Sequence, residues 1–353
     1  VMRRMLSRTD LDALVRDLLG AGTRVIAPVR RKVQGREFVE YAPVQNPEEI
    51  ALDGSQPVRP LKQVVFPPTE TLFNYKQDKG LVQIQEAPTT FSDTLVIGAR
   101  PCDAAALEIV DRVMDWDYHD EFWFGHRQAT TVVAVACTDS DESCFCTAVG
   151  LSPESTRGAD WLLIPAGSSF EVRVVTPKGE ALLESNKSRC PESDVPEAGK
   201  ASSAVEEKVR ANLAMNPAKL QEWLGAHFEH PLWQKIALRC HGCGACAFVC
   251  PTCHCFDIVD ELEGVGRGAR RRNWDACQPA LFTLHGSGHN PRKDQSARFR
   301  QRVMHKFSIY PSRFGEILCT GCGRCIRVCA AGMDLIAILA EIGQNAEEAG
   351  STL

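Results

Sequence analysis

No stretch of apolar residues in this chain approaches the length needed to cross a bilayer, so a membrane-spanning helix is not expected. The most apolar part of the C-terminal helix candidate, residues 335–339, is far too short. The opening residues, Val1-Met-Arg-Arg-Met-Leu-Ser-Arg8, lack the apolar segment of a secretory signal, and Arg3 and Arg4 without that segment are not read as a twin-arginine signal. Export is therefore not expected, and a cytoplasmic location is. No P-loop is present. Gly264-Val-Gly-Arg-Gly268 and Gly286-Ser-Gly288 are weak candidates for a dinucleotide loop, because neither follows a strand and opens a helix as that fingerprint requires. The formal net charge of −5 also speaks against reading the basic runs at 267–272 and 292–306 as a nucleic-acid surface.

Cysteine, by contrast, is abundant. Sixteen in a chain without an export signal point to metal or redox use in a reducing compartment and away from disulfides. Eight fall in two near-identical runs. One is Cys240-His-Gly-Cys243-Gly-Ala-Cys246-Ala-Phe-Val-Cys250-Pro251; the other is Cys319-Thr-Gly-Cys322-Gly-Arg-Cys325-Ile-Arg-Val-Cys329. Each has the C-x2-C-x2-C-x3-C spacing that holds a [4Fe-4S] cube. Three thiolates in a short loop bond three corners of one cube. The fourth lies about one helical turn further on and reaches the other cube. That logic assigns Cys240, Cys243, Cys246 and Cys329 to one cluster, and Cys319, Cys322, Cys325 and Cys250 to a second. Structural zinc is the alternative, but zinc needs only four sulfurs per site and not the triple.

The remaining pattern places these motifs. With 353 residues the chain has room for two domains. A helix is expected over 9–20, capped by Thr9, with Leu11, Leu14, Val15 and Leu18 on one face. Short strands are expected at 25–29, 38–41 and 64–66. Continuous apolar runs at 94–99 and 131–136 read as buried strands, separated by a helix over 104–113 that Asp103 caps. Strand, helix, strand is the grammar of parallel α/β pairing, whose sites gather at the carboxyl ends of strands. A hairpin at 161–164 and 170–175 closes a first domain, 1–184. A surface connection over 185–204 carries Cys190, read as a free thiol. A second domain follows over 205–353, led by a helix candidate at 205–228. About 69 residues lie between Cys250 and Cys319, more than a compact ferredoxin uses. The expected fold is thus an N-terminal α/β domain followed by an α-helical ferredoxin-like dicluster domain with an insertion.

Cys102 and Cys137 terminate the two buried strands, and Cys144-Phe145-Cys146 follows closely in one loop. Four sulfurs so placed converge on a third [4Fe-4S] site, with core packing or zinc as the alternatives. Each oxidised cube with its thiolates carries about −2, so the basic runs are read as local compensation. Gly242, Gly244, Gly321 and Gly323 let backbone N–H groups approach sulfur or simply shape the turns. Arg239, Arg324 and Arg327 either favour the reduced clusters or are solvated helix charges. Cys253, Cys255 and Cys277 stay open between packing near the clusters, metal binding with His254, His285 or His289, and direct handling of sulfur species.

Several further motifs carry a specific resemblance. Pro251-Thr-Cys-His-Cys-Phe256, Trp274-Asp-Ala-Cys-Gln278, Gly288-His-Asn-Pro-Arg292 and the Arg300, Arg302, Lys306, Phe307 pattern are joined by Phe66-Pro-Pro-x-Glu-x-Leu-Phe73, Arg100-Pro-Cys-Asp103 and Asp141-Glu-Ser-Cys-Phe-Cys146. Together they resemble the iron–sulfur β subunit of soluble NAD(P)-linked [NiFe] hydrogenases (sulfhydrogenases), kin of the corresponding iron–sulfur component of anaerobic sulfite reductase. Ala330 departs from the Pro usual after the last motif cysteine. The resemblance implies an electron-transfer subunit with no active site of its own. Its partners would be a flavin- and NAD(P)H-binding subunit and a catalytic subunit, most simply of a hydrogenase, with a sulfite reductase as the alternative. Two rival expectations are an NAD(P)H-binding reductase in its own right and a zinc-stabilised scaffold.

Overall fold

The computed structural model describes residues 3–87, 90–193 and 200–350. Its frame is an eight-stranded mixed sheet. β1 (Arg3–Ser7) leads into α1 (Arg8–Gly20), followed by β2 (Arg24–Val33) and β3 (Arg36–Pro43). β4 (Thr69–Asp78) and β5 (Leu81–Glu86) leave that sheet, and the chain returns to it at β6 (Thr94–Ala99). Then come α2 (Pro101–Met114), α3 (Glu121–Ala129), β7 (Thr130–Val135), β8 (Trp161–Ala166), β9 (Ser169–Val174), α4 (Pro177–Glu184) and the short β10 (Glu192–Ser193). The strand order is β10-β1-β9-β8-β7-β6-β2-β3, with β2, β6, β7 and β8 parallel and the flanking pairs antiparallel.

Both faces of this sheet are buried, as its unbroken apolar strands demand. Val25, Leu95, Ile97, Val133, Val135, Trp161 and Leu163 face a core that α1 and α4 cover through Leu11, Leu14, Val15 and Leu183. Ile26, Val96, Val132, Ala134, Leu162 and Ile164 face the opposite core, which α2 and α3 close with Leu107, Val110, Met114 and Trp123. Gly98 marks the one irregularity in the β6–β7 register. Its φ of 80° and the approach of Leu52 and Pro28, within 2.8 Å of where a Cβ would sit, leave room for glycine alone.

The second half begins with α5 (Lys200–Asn212), α6 (Pro217–Ala226) and α7 (Leu232–Ala237). The first cysteine loop then enters the single turn α8 (Ala245–Phe248). A long hairpin follows, β11 (Phe256–Gly264) and β12 (Arg267–Trp274), then α9 (Gln295–Met304) and α10 (Tyr310–Phe314), joined by a π-helical turn at His305–Ile309. The second cysteine loop enters α11 (Arg324–Arg327), and α12 (Leu335–Gly350) ends the described chain. Leu335, Ile338, Leu339 and Ile342 of α12 pack with Leu220, Trp223, Trp233, Phe299 and Phe307 in a third core that also takes in Phe145. Each such buried side chain contributes about 2 kcal/mol.

This arrangement corrects the expected fold class. The chain is mixed α/β on two large sheets, and the dicluster segment is not an α-helical ferredoxin-like domain. The residues between the two cysteine runs form β11 and β12, which complete a four-stranded antiparallel sheet, β11-β12-β4-β5, with strands from the N-terminal half. Its sequence hides it. Arg270, Arg271 and Arg272 look like a charge run but alternate across a strand. Arg270 pairs with Asp260, Arg271 with Glu261 and Glu263, and the buried Arg272 with Glu70 and Asp120. These three arginines are therefore neutralised by carboxylates of β11 and β4 and by Asp120 at the start of α3, and not by clusters.

Smaller corrections have local causes. Ser7, not Thr9, caps α1 by accepting from the Asp10 N–H. Residues 64–66 belong to a 3-10 turn and bend, not a strand. The helix candidate at 205–228 is two helices, the second starting at Asn216 and Pro217. Asp103 makes no cap, because its carboxylate is engaged elsewhere. Within the expected connection 185–204, residues 194–199 lie outside the described residues; Cys190 is fully buried there against the first core.

Candidate iron–sulfur centres

Three cavities collect the motif cysteines. Cys240, Cys243, Cys246 and Cys329 line the first, of about 140 Å³, together with Cys325, Arg302 and Gln278. Cys250, Cys319, Cys322 and Cys325 line the second, a narrow space beside Lys306 and Arg302. Cys102, Cys137, Cys144 and Cys146 line the third, of about 200 Å³, where Cys322 also appears. The sets grouped by spacing are thus brought together as sets. Cys253, Cys255 and Cys277 line none of the three.

Local backbone geometry accounts for the gathering. Both motif loops pass through left-handed glycines, and in the second the Gly321 N–H donates to Cys319 Sγ at 3.4 Å. Gly321 and Gly323 have a further role that spacing could not reveal. A Cβ on Gly321 would sit 2.4 Å from Cys146 N, and one on Gly323 would sit 2.5 Å from Ser143 O. The second loop therefore lies directly on the Cys144–Cys146 loop, and the Phe145 N–H donates to Gly321 O at 2.8 Å. In the third cavity, Cys102 starts α2 at the end of β6 and Cys137 follows β7, so parallel pairing brings the two strand ends side by side.

Charge supplies the test of whether these cavities suit an anionic cluster. Lys306, only 3% exposed, donates to Cys250 Sγ at 3.3 Å, to Thr252 Oγ1 at 2.9 Å and to Leu318 O at 3.0 Å. Arg302, also buried, reaches Cys253 Sγ at 3.5 Å and Cys246 O at 3.2 Å. Among the described residues neither cation meets a carboxylate. Burial alone would lower their pKa values, yet surrounding cysteine sulfurs raise both. Two buried cations without carboxylates fit a group that brings negative charge. Burial pushes Cys146, Cys319 and Cys325 up to about 12, whereas the hydrogen bond from Cys253 pulls Cys250 down, so a metal at these sulfurs would displace protons from the first three.

Several residues around the sulfurs carried no signal as isolated letters. Gln295 Nε2 donates to Cys240 Sγ at 3.2 Å, and Gln56 Nε2 donates to Cys322 O at 3.1 Å while facing Cys102 Sγ at 3.8 Å. Arg100, buried at the third cavity, is held positive against desolvation by Cys137 and Cys102. Of the arginines beside the second loop, Arg324 turns inward and pairs through both nitrogens with Asp103, at 2.7 and 2.6 Å. Arg327 pairs with Asp141 at the surface, 2.7 Å away.

Comparison with known proteins bears on the same segment. Residues 239–333 match the 4Fe-4S dicluster domain. This chain carries [4Fe-4S] clusters. Over nearly its whole length it is also similar to sulfhydrogenase 2 subunit beta of Pyrococcus furiosus. The two are 29% identical over 325 residues, covering 91% of this chain and 93% of that protein. The similarity bears out the resemblance drawn from the short motifs. Among the described residues, no helix is long and apolar enough to cross a membrane.

Proposed function

We propose that this chain is the electron-transfer subunit of a multi-subunit oxidoreductase, a soluble [NiFe] hydrogenase of the cytoplasm. It receives electrons from, or passes them to, a flavin- and NAD(P)H-binding subunit and a hydrogenase catalytic subunit. The full-length similarity to a sulfhydrogenase β subunit supports that assignment. Cysteines 240, 243, 246 and 329, cysteines 250, 319, 322 and 325, and cysteines 102, 137, 144 and 146 would hold one cube each. Bound cubes supply one-electron transfer with little change in bond length.

The observation that carries the proposal is the continuity of the three cavities. Cys322 borders both the third and the second, and Cys325 and Arg302 border both the second and the first. The cavities therefore adjoin one another in sequence from the N-terminal sheet to the first motif loop, where Cys243 is exposed, which supports a relay through them. Arg324 and Asp103 clamp the second loop to the start of α2, and Lys306 and Arg302 place buried positive charge beside the sulfurs of the middle centre. Copurification tests the proposal. The complex should contain nickel and flavin, and NAD(P)H should bleach the cluster absorbance only when the flavoprotein is present. Sirohaem in place of nickel would overturn the hydrogenase assignment, and bleaching of the isolated chain would overturn the subunit role.

A further inference from the structure

The cysteines left outside the three cavities are not scattered. Cys255 and Cys277 stand at the root of the β11–β12 hairpin. The ladder pairs Phe256 with Trp274, and one step further the Asp275 N–H donates to Cys255 O at 3.0 Å. This brings the residue before one strand and the third residue after the other into reach. The pairing sets the two thiols beside each other, close enough for each to act on the other's charge. Cys253, between the first loop and the hairpin, instead contacts Cys250 and Arg302. Both members of the pair are partly exposed, unlike the fully buried Cys190.

The surroundings favour one thiolate and one thiol. Gln278 Nε2 lies 3.5 Å from Cys277 Sγ, and the Arg302 guanidinium is close enough to act on its charge. The neighbouring Cys255 thiol, working against burial and aided by Arg302, pulls the Cys277 thiol down to about 5, while Cys255 is pushed up. A low-pKa attacking sulfur beside a protonated resolving thiol, with access to solvent, is the arrangement thiol–disulfide exchange requires.

We infer that Cys255 and Cys277 are a redox-active thiol pair that closes reversibly to a disulfide by exchange with low-molecular-weight organic disulfides. The Cys277 thiolate attacks one sulfur of RSSR, the S–S bond breaks and RS⁻ leaves. Cys255 gives its proton to that thiolate and attacks Cys277 Sγ, releasing a second RS⁻, which takes a proton from solvent. Two cysteines are oxidised and one RSSR is reduced to two RSH. The step uses no cluster, and it stands or falls apart from the relay.

The test uses the full-length, cluster-loaded chain under anaerobic conditions. It is equilibrated in buffers of graded 2-mercaptoethanol to 2-hydroxyethyl disulfide ratio, trapped with iodoacetamide and mapped by peptide mass spectrometry. The expected result is reversible loss of alkylation at Cys255 and Cys277 together, a peptide linking them, and unchanged iron and sulfide. Cys255→Ser should trap a stable mixed disulfide on Cys277, and Cys190→Ser should change nothing. The inference is overturned if both thiols alkylate at every ratio in the wild-type chain. It is equally overturned if Cys277→Ser or Cys255→Ser folds but loses the iron and sulfide of one cluster, since the residue would then be a ligand. If neither variant folds, the wild-type trapping alone decides.

Discussion

Single side chains decide how the buried charge is held. Lys306 is the clearest case, because its nearest partners are a cysteine sulfur, a hydroxyl and a carbonyl. Lys306→Met keeps the shape and removes the charge. Full iron content is expected, with a midpoint potential for the middle cluster lower by on the order of 100 mV, since a unit charge a few ångströms away is worth a few kcal/mol at an effective dielectric near 20. Potentiometric titration checks it, and an unchanged potential would count against charge compensation. Gly321→Ala should fail differently. With φ at 62° and the Cys146 backbone 2.4 Å from the new Cβ, the second loop must lift away. Iron should be lost from the third site as well as the second, as metal analysis would show. Two half-buried histidines give a pH dependence. Burial lowers His254 to about 4 and His305 to about 3, so both stay neutral while the unfolded chain protonates near 6.5. Stability is complete above pH 6.5 and falls as pH drops through that value towards the folded pKa values. The loss is about 1.4 kcal/mol for each at pH 5.5. The thermal midpoint should drop over that window, and a His254→Gln, His305→Gln double variant should flatten the drop.

Among the elements, legibility followed periodicity. The strands at Thr94–Ala99 and Thr130–Val135 declared themselves by unbroken apolar runs, and both lie in the core of the large sheet. β4, β5, β11 and β12 did not, because their exposed sheet carries Arg, Glu and Gln at positions where a buried strand would carry Val or Ile. Cysteine spacing and strand ends placed each group of four sulfurs around one cavity, with Cys325 and Cys322 also bordering the neighbouring ones. They were silent about the long-range ties, since these join residues far apart in the chain. The Arg324–Asp103 pair is such a tie, 221 residues apart and with both partners almost fully buried. Asp103 also accepts from the Tyr41 hydroxyl at 2.8 Å. Removing one partner leaves an uncompensated buried charge, so Asp103→Asn should cost about 3–5 kcal/mol. Thermal unfolding followed by circular dichroism measures it, and a loss below about 1 kcal/mol would mean the clamp is not what joins the second loop to α2. At the hairpin, closing Cys255 onto Cys277 would restrain a loop of roughly twenty residues, worth about 3 kcal/mol.

Across the whole molecule, the two halves are joined by strands, by the buried ion pair and by shared walls between cavities. β12 pairs with β4 from the N-terminal half, and Phe145 from that half packs in the helical core with Phe307 and Leu339. An electron path through rigidly spaced centres needs this kind of interlocking, because transfer rates depend on fixed separation. It also explains why the dicluster segment is not free-standing in its fold: its hairpin finishes a sheet begun near residue 69. The decisive test of the chemistry is metal content. Iron, zinc and acid-labile sulfide should be assayed on the full-length chain purified without oxygen. Cubes at three sites predict about twelve irons and about twelve sulfides per chain with no zinc. A colourless protein holding zinc and no acid-labile sulfide would contradict them.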